Sequence, residues 1–422
     1  MTTDPGPQPG AWTVRGTDRD EYPDVLSVVM EALLAPEDPE QALEHRRPFA
    51  DAQGYDRILV ATDTADEIVG TVRSLAFDMT LPGGVRRVAG VTGVGVWPTH
   101  RRRGVLSALM RHQLADLHAA GEGYAALWAS EGGIYGRFGY GPAATETEAG
   151  IDTAHATLRA DAPRDPELTV RLVRPSGVRP DLETVFAKVA ETELGRFRRD
   201  TSWWDRILRD LPDQRGGKGP LRAAVVRGAD GPVGHALYRV VHKRDTDGSH
   251  SELLVHEVMA TTITAHVALY EHLFSRDLVT RVVFDFLPQD TPLLRLLVDR
   301  QRLVRTPFDS LWLRLVDVPA ALTERTYAMP FEATLEIVDR YAPWNAGRWY
   351  VEAGTAGAHV EATEQACDLT LDVSHLSAAH LGQEPLLGAL RAGLITEHTP
   401  GTVARLDSAL YRPDPVSCGV IF

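Results

Sequence analysis

The feature that most constrains the fold is a strand-like run that passes through an arginine-rich turn straight into a helix-like run, GVTGVGVWPTHRRRGVLSALMRHQL at residues 90–114. Small and β-branched residues before Pro98 are typical of a buried strand, which a proline ends. Beyond the turn, apolar residues recur at the spacing of a helix that Gly121 ends. These residues are Val105, Leu106, Leu109, Met110, Leu114 and Leu117. With YAALWAS as the following strand, the segment predicts a β–α–β unit.

The three consecutive arginines of the turn predict an anion site. A helix N-terminus leaves backbone N–H groups unpaired and carries the positive end of the helix dipole. Arg101, Arg102 and Arg103 add positive charge that opposes this dipole, unless an anion such as a pyrophosphate binds there. Gly104 allows the backbone to approach a ligand closely. The alternative is a solvated charge run, or one paired with carboxylates, and the strand-to-helix context favours the site.

Charge and composition exclude several classes of protein. The chain has 44 Lys plus Arg against 58 Asp plus Glu, a net charge of −14, so it lacks the basic surplus of a general nucleic-acid binder. No apolar run is long enough to span a membrane, and the first residues carry no secretory signal pattern. Cys367 and Cys418 are predicted to be unpaired, as in a reducing compartment. We therefore expect a cytoplasmic protein with no nucleic-acid or membrane partner.

The order of predicted elements divides the chain into three domains. The chain has 422 residues, well above the usual size of one domain. Residues 1–150 and 151–316 show the same order of helices and strands, which predicts two similar domains, with coincidence of α/β patterns as the alternative. Residues 317–422 show a run of strands followed by helices, which is typical of a separate α+β domain.

Three segments resemble a known family. VGVWPTHRRRGVLSALM is similar to the acyl-CoA-binding segment of the GCN5-related N-acetyltransferase (GNAT) superfamily, whose Arg/Gln-x-x-Gly-x-Gly/Ala pattern Arg101 and Gly104 match and Leu106 does not. ASEGGIYGRFGYGPA, residues 129–143, resembles the Eis-like (enhanced intracellular survival) acetyltransferases of actinobacteria, and LSAAHLGQEPLLGALRAGLI resembles a sterol carrier domain. The resemblance spans the chain and implies an α+β protein with the α/β-type acetyltransferase fold. It consists of two tandem GNAT-like domains followed by a sterol-carrier-protein-like α+β domain.

The resemblance implies where acetyl-CoA binds. In this superfamily a widened or bulged strand pairs its backbone with the pantetheine arm. The backbone amides of the turn bind the pyrophosphate, and the first two arginines reach phosphate oxygens. The implied cofactor-binding positions are Val94, Gly95, Val96, Arg101, Arg102, Arg103, Gly104, Val105 and, near the thioester sulfur, Ser130.

The resemblance also implies the proton-transfer groups. Acetyl transfer from a thioester to an amine needs a neutral nucleophile and a proton donor for the departing thiolate. Tyr135 matches the general acid of the family, Tyr140 is the competing tyrosine, and Phe138 is assigned to the core. Eis-like enzymes are proposed to use their C-terminal carboxylate as the general base. The carboxylate of Phe422, after a short apolar stretch, is the matching group.

The three domains are expected to differ in role. Residues 1–150 form the catalytic GNAT domain that binds acetyl-CoA. Residues 151–316 contain no Arg-x-x-Gly turn in VMATTITAHVALYEHLF, so this domain is expected to bind no CoA. Residues 317–422 deliver the C-terminal carboxylate. No metal is expected, because the histidines lack the spacing of metal ligands, as at His100, His112 and His256.

The acceptor is expected to be a primary amine: an aminoglycoside, another small amine or a lysine side chain. Polycationic acceptors need carboxylates nearby, and the early helix reads MEALLAPED, which is apolar at its end. An aminoglycoside is therefore disfavoured, although Glu31, Glu37 and Asp38 are available as charges. The family assembles as hexamers, so a homo-oligomer is expected. The alternative function is a non-catalytic protein that binds CoA or an amphipathic ligand and retains the fold.

Overall fold

A computed structural model describes residues 12–245, 248–355 and 357–422. The amino-terminal stretch used for the expectation of a cytoplasmic protein lies mostly outside these residues. The chain forms two compact units. The first unit comprises Met1–Ala143, Leu311–Arg412 and Phe422, and the second comprises Ala144–Ser310 and Pro413–Ile421. The domain boundaries near 150 and 316 stay a prediction.

Helices and strands alternate along most of the chain. The helices are α1 Tyr22–Leu33, α2 Pro39–Gln53, α3 Val105–Ala119, α4 Gly132–Tyr135, α5 Arg179–Ala190, α6 Thr201–Leu208, α7 Ile263–Phe274, α8 Leu293–Leu296, α9 Val318–Glu324, α10 Val373–Ala379, α11 Leu386–Arg391 and α12 Thr402–Leu410. The strands are β1 Thr13–Gly16, β2 Ile58–Thr62, β3 Ile68–Leu81, β4 Gly84–Val96, β5 Tyr124–Leu127, β6 Gly141–Asp152, β7 Thr169–Val173, β8 Arg222–Gly228, β9 Gly231–Asp245, β10 Gly248–Ala260, β11 Val279–Pro288, β12 Val304–Leu315, β13 Phe331–Val338, β14 Gly347–Gly354, β15 Gly357–Ala362, β16 Leu369–Asp372 and β17 Thr396–Glu397.

In the first unit, one sheet has the strand order β1-β2-β3-β4-β5-β12. Strands β4 and β5 run parallel and are joined by α3, whereas their other neighbours are antiparallel. The apolar side of α3 is fully buried at Leu109, Met110 and Leu114, where it packs on Ala125 and Leu127 of β5. This packing fixes the end of β4 and the start of α3 relative to the sheet.

The second unit repeats this plan with the strand order β6-β11-β10-β9-β8-β7. Strands β10 and β11 are its parallel pair, and α7 joins them. Val267, Leu269 and Leu273 of α7 are buried against Leu253 and Phe284 of the pair. The two segments with the same predicted order of elements thus form the same arrangement of strands and crossover helix.

The sterol-carrier-like part of the first unit is a sheet of order β15-β14-β13-β16-β17 with helices α9 to α12. It contacts the acetyltransferase part through Tyr341. The Tyr341 ring meets Phe138 edge to face at 4.8 Å between ring centroids, and its hydroxyl donates to Oγ of Ser107 in α3 at 3.3 Å. Arg314 lies fully buried and is paired with Asp339 at 2.6 Å. These contacts brace the element that follows the arginine turn.

The sequence patterns are confirmed over most elements and fail in three places. The strand before Pro98, the helix after the arginine turn and the following strand are confirmed as β4, α3 and β5. Helix α2 and strand β6 are absent from the expectations; α2 is polar on average and contains Pro48. The segment LSAAHLGQEPLLGALRAGLI does not form one continuous helix: Gly382 takes a φ of 84° and Pro385 follows, so the run divides into α10 and α11.

Candidate active site

A slot opens in the first sheet where its two parallel strands stop pairing. The register of β4 with β5 ends at Val91 and Leu127, and β5 ends at the same residue. Strand β4 continues for five residues to Val96. Because a parallel neighbour is missing beyond that point, the edge of β4 is available to pair with an extended ligand. Val94, Gly95 and Val96 lie on this unpaired part of β4.

The slot begins at a β-bulge in β4. Thr92 pairs with Arg73 of β3, and Gly95 pairs with Thr71, so two residues of β4 lie opposite one residue of β3. The bulged residue Gly93 has a φ of 57°, in the left-handed region that glycine adopts readily. A Cβ on Gly95 would lie 3.1 Å from the Cβ of Ala32, so glycine allows α1 to pack closely on this half of the strand.

The turn after β4 leaves the start of α3 without a side-chain cap. Gly104 is the N-cap with a φ of 86°, and no side chain bonds to the first N–H groups of the helix. Among the described residues, the backbone N–H groups of Arg103, Gly104 and Val105 donate to no other backbone group. Val105 itself is buried and anchors the first turn in the core. Uncapped N–H groups at the positive end of a 15-residue helix form a site for an anion.

The three arginines of the turn are exposed and have different surroundings. Nη2 of Arg101 donates to the carbonyl of Ala32 at 3.0 Å, near the C-terminus of α1, where a cation is favourable. Arg103 lies over the indole of Trp12 at 5.0 Å, and Trp12 Nε1 donates to the Arg103 carbonyl at 3.0 Å. Arg102 has a φ of 60° and forms no ion pair with any described residue. All three arginines keep their positive charge, and Arg102 is the one whose guanidinium contacts neither a carbonyl nor an aromatic ring among the described residues.

Tyr135 ends α4 after a short loop from β5. Its side chain is 6% exposed. Burial, with a smaller contribution from the charge of Glu131, raises the pKa of Tyr135 to about 12. The hydroxyl therefore keeps its proton through the neutral range. Ser130 is exposed in the loop that leads from β5 to α4.

The competing Tyr140 is fully buried, and its hydroxyl has no partner among the described residues. Burial raises its pKa above the ordinary range of a tyrosine, and its ring contacts Tyr135 edge to face at 6.1 Å. Phe138 lies in the core as expected. Tyr140 has no exposed surface from which to reach a substrate.

Phe422 belongs to the first unit and is 7% exposed. Its ring packs edge to face on Phe77 of β3, at 4.8 Å between centroids. A Cβ on Gly90 of β4 would lie 2.1 Å from the Phe77 ring, so this glycine leaves the space that the ring occupies. Sequence reasoning missed Phe77 and Gly90. A glycine within an apolar strand was the available signal, because it marks a close approach.

Two of the three acidic residues near the early helix already have partners. Glu37 pairs with Arg46 at 2.8 Å, and Asp38 accepts from two backbone N–H groups as the N-cap of α2. Glu31 is exposed. At the end of α1, Leu34 is 81% exposed. The surface at this end of α1 is thus apolar with little unpaired negative charge.

Three features are absent from the described residues: a metal-binding group, a membrane-spanning helix and a disulfide. No group of three or more His, Cys, Asp or Glu side chains that could hold a metal ion occurs among them. No helix in that part of the chain is both long and apolar enough to cross a membrane. Cys367 and Cys418 are not joined in a disulfide.

Comparisons with protein families match the whole architecture. Residues 13–143 and residues 195–315 each match an acetyltransferase (GNAT) domain. Residues 318–419 match a sterol carrier protein domain. The fold expected from the sequence, two GNAT-like domains and a sterol-carrier-like domain, is confirmed.

Relatives match over nearly the full length. The chain is 35% identical to an uncharacterized N-acetyltransferase of Streptomyces coelicolor, covering 92% of this chain and 94% of that protein. It is 36% identical to the N-acetyltransferase Eis of Mycobacterium tuberculosis, covering 87% and 91%. The crystal structure of Eis1 from Mycobacterium abscessus superimposes with a TM-score of 0.81 at 30% identity, covering 97% and 100%. The chain is therefore an acetyltransferase that belongs to the Eis-like family of the GNAT superfamily.

Proposed function

We propose that the protein transfers the acetyl group of acetyl-CoA to a primary amine by direct attack, with the cofactor in the slot of the first sheet. The observation that carries the proposal is the continuous run of binding features from β4 to α3. These features are an unpaired strand edge, a bulge at Gly93 and an uncapped helix N-terminus that begins at Gly104. GNAT acetyltransferases use acetyl-CoA as the cosubstrate, and its chemistry fits each of these features.

Two parts of the slot bind two parts of acetyl-CoA: β4 binds the pantetheine arm, and the start of α3 binds the pyrophosphate. The amides of the pantetheine arm pair with the backbone of β4 at Val94 and Val96, as a neighbouring strand does. The pyrophosphate binds the N–H groups at the start of α3 and the guanidinium of Arg102. Arg101 contributes its charge while it is bonded to α1. Replacing Arg102 is expected to raise the KM for acetyl-CoA with little change in kcat, because the interaction is the same in the ground and transition states.

Tyr135 supplies the proton that the leaving group needs. The amine nitrogen attacks the thioester carbonyl, the C–S bond breaks, and the CoA thiolate takes the Tyr135 proton. The CoA thiolate, whose conjugate thiol has a pKa of about 8.5, is a weaker base than the Tyr135 phenolate, so the tyrosine regains a proton from the acceptor nitrogen or the solvent afterwards. With its pKa at about 12, Tyr135 stays protonated at every pH at which the enzyme is assayed.

The carboxylate of Phe422 is the proposed general base. An ammonium acceptor must lose one proton before it attacks, and the carboxylate takes that proton. The acceptor nitrogen loses its second proton as the tetrahedral intermediate collapses, so each turnover yields an N-acetyl amine, CoA thiol and one proton in solution. Burial of Phe422 against Phe77 supports this role, since a chain terminus without a tie is usually mobile.

The exposed apolar end of α1 favours an acceptor with one amine and an apolar body over a polycationic aminoglycoside. Leu33 is 50% exposed there beside Leu34, and two of the neighbouring carboxylates are already bonded. A lysine side chain meets the same requirement. The family assembles as hexamers, and we propose the same assembly for this protein.

The test is the release of CoA from acetyl-CoA in the presence of aminoglycosides, polyamines, arylalkylamines and lysine peptides. Tyr135→Phe and a deletion of Phe422 are measured in parallel, and Tyr140→Phe is the matched control. A general acid or base contributes about 10²- to 10⁴-fold. We expect each of the first two changes to lower kcat by that order and to leave acetyl-CoA affinity unchanged.

The result also separates enzyme from binding protein. Tight acetyl-CoA binding without CoA release for any amine would contradict the proposal and favour a protein that sequesters CoA. Full activity in Tyr135→Phe, with loss of activity in Tyr140→Phe, would reverse the assignment of the two tyrosines.

A further inference from the structure

The indole of Trp12 contacts both ends of the arginine turn. Its Nε1 donates to the Arg103 carbonyl at 3.0 Å, and its ring lies 5.0 Å from the Arg103 guanidinium. At the other end of the turn, the His100 imidazole meets the same ring edge to face, at 5.8 Å between centroids. Trp12 and the turn both belong to the first unit. One side chain therefore links the two ends of the segment that leads from β4 into α3.

Trp12 is itself held in place by its neighbours. Strand β1 begins at the next residue, Thr13, which pairs with Thr62 of β2. The half-buried ring packs against the hydrophobic core that contains Val105 and Leu109 of α3. Because the sheet and the helix both fix the position of the ring, its contacts hold the turn in one conformation.

The hydrogen bond from Trp12 fixes the orientation of one peptide group. The Arg103 carbonyl and the Gly104 N–H belong to the same peptide group, which is trans, so the two point in opposite directions. Because the carbonyl points toward the indole, the Gly104 N–H points away from it. This N–H is the middle one of the three that donate to no other backbone group among the described residues. Trp12 therefore sets the direction of one donor of the proposed pyrophosphate site.

Gly104 makes this orientation easy to lose. Turning the peptide group over changes the φ of Gly104 by about 180°, from 86° to the negative side of the backbone map. Glycine adopts positive and negative φ about equally readily, so Gly104 itself does not select one orientation. The turned-over group would present a carbonyl oxygen to the pyrophosphate in place of an N–H, and this oxygen repels an anion. A contact from outside the turn is needed to select the orientation that binds.

We propose that Trp12 is a positioning residue for acetyl-CoA: it holds the peptide group between Arg103 and Gly104 with its N–H toward the pyrophosphate. The inference rests on the proposed function, in which the start of α3 binds the pyrophosphate. The ring also keeps the Arg103 guanidinium beside the turn, where its charge attracts the same anion. Because the cofactor binds only one orientation of the peptide group, its apparent affinity falls with the fraction of protein that adopts the other orientation.

The test is the Kd for acetyl-CoA of full-length Trp12→Phe, measured by isothermal titration. Phenylalanine keeps an aromatic ring for the core and for Arg103, but it has no N–H to donate. The matched control is Trp344→Phe, because Trp344 of the same unit also donates its indole N–H to a carbonyl, that of Val316 at 2.7 Å. The Trp344 ring also stacks on an imidazole, that of His118 in the last turn of α3, at the opposite end of this helix from the arginine turn.

We expect Trp12→Phe to raise the Kd for acetyl-CoA about 3- to 10-fold, which is the factor that one hydrogen bond contributes. Trp12→Leu also releases the Arg103 guanidinium and should raise the Kd about tenfold or more. Trp344→Phe should keep the wild-type affinity. In each variant the KM for acetyl-CoA should follow the Kd while kcat at saturation is unchanged, because the contact is the same in the ground and transition states.

Two fragments of the cofactor separate positioning from a general loss of structure. ADP carries the pyrophosphate without the pantetheine arm, so its Kd for Trp12→Phe should rise by the same factor as that of acetyl-CoA. S-acetylpantetheine carries the arm without the pyrophosphate, so it should bind Trp12→Phe as well as it binds wild type. A damaged fold would weaken the binding of both fragments. Competition with acetyl-CoA measures both affinities.

The outcomes distinguish this inference from the proposed function. Wild-type affinity for acetyl-CoA in both Trp12→Phe and Trp12→Leu would overturn the positioning role alone. Equal losses for the two fragments, or equal losses in Trp12→Phe and Trp344→Phe, would show that the indole serves only the fold and would also overturn this role. A wild-type protein that binds no acetyl-CoA would overturn the proposed function itself.

Discussion

The slot of the first sheet and its counterpart in the second unit share a plan and differ in how their polar groups are used. In the first unit the parallel pairing of β4 and β5 ends at Val91 and only β4 continues. In the second unit the pairing of β10 and β11 ends at Val255, and both strands continue, to Ala260 and Pro288. In each, the continuing strand has a register shift close to that point, and His256 is the extra residue in β10. A crossover helix follows in both cases.

The counterpart in the second unit differs from the first slot in the partners of its polar groups. Thr262 caps α7 with its own hydroxyl, which accepts from the Ala265 N–H at 3.2 Å, whereas Gly104 gives α3 no side-chain cap. The continuing part of β10 carries Glu257, paired with Arg199 at 2.6 Å and with His235 at 2.7 Å. A cavity of about 230 Å³ lies beside this strand.

The comparison indicates that the slot of this fold binds a ligand only where backbone N–H groups are left without partners. In the second unit the Thr262 hydroxyl accepts from one N–H at the start of α7, and two ion pairs engage the Glu257 side chain on the continuing strand. In the first unit the donors at the start of α3 are left for a ligand. The prediction that the second domain binds no CoA, made from the missing Arg-x-x-Gly turn, gains a physical reason in the capped helix.

The largest effect is expected when the open helix is given a negative charge. Gly104→Asp places a carboxylate at the N-terminus of α3, where it satisfies the helix dipole and repels the pyrophosphate. The Kd for acetyl-CoA is expected to rise at least about 100-fold, two charge-assisted hydrogen bonds being lost. Isothermal titration measures it, and the matched control is Gly104→Asn, which keeps the size without the charge. Equal affinities of Gly104→Asp and wild type for acetyl-CoA would show that the N-terminus of α3 does not bind the cofactor.

The next effect concerns the ion pairs that fill the second slot. Burial alone raises the pKa of Glu257, but Arg199 and His235 outweigh it and hold that pKa well below its ordinary value. A glutamate whose pKa is lowered in the folded state stabilises the folded protein at pH values above its ordinary pKa, about 4.3. This stabilisation is lost as the pH falls through and below that value. Glu257→Gln is expected to cost about 3 kcal/mol at pH 7.

Thermal unfolding of both proteins between pH 3 and pH 8 measures this effect. The difference in melting temperature should be largest near neutrality and shrink toward pH 3. Glu324→Gln, which breaks the more exposed pair with Arg86, serves as the control and should change stability by no more than about 1 kcal/mol. A difference in melting temperature that stayed constant with pH would show that the ionised form of Glu257 is not the source of the stabilisation.

The smallest effect is expected at the helix cap of the second slot. Thr262→Ala removes the hydroxyl that accepts from Ala265, which costs about 1 kcal/mol of stability. The KM for acetyl-CoA should stay at its wild-type value. Denaturant unfolding measures the first quantity and steady-state kinetics the second. A new acetyl-CoA site in this variant would show that the cap alone had closed the second slot.

Much of the fold could be predicted from the sequence because its signals are local. The strand before Pro98, the helix after Gly104 and the turn between them follow from apolar periodicity and from the conformations of proline and glycine. The contacts of the candidate site come from distant parts of the chain and have no such signal. Phe77 meets Phe422 across 345 positions, which is the difference of their numbers.

The connectivity of the two units also orders events during synthesis. Strand β5 is flanked in its sheet by Trp312–Leu315 of β12, which the ribosome releases only after Ala144–Ser310 of the second unit. Until then β5 presents an open edge, a template for wrong pairing. Closing that gap joins residues nearly two hundred positions apart, a slow step for any chain. The sheet that holds the proposed cofactor slot is thus completed only after the whole second unit has been synthesised.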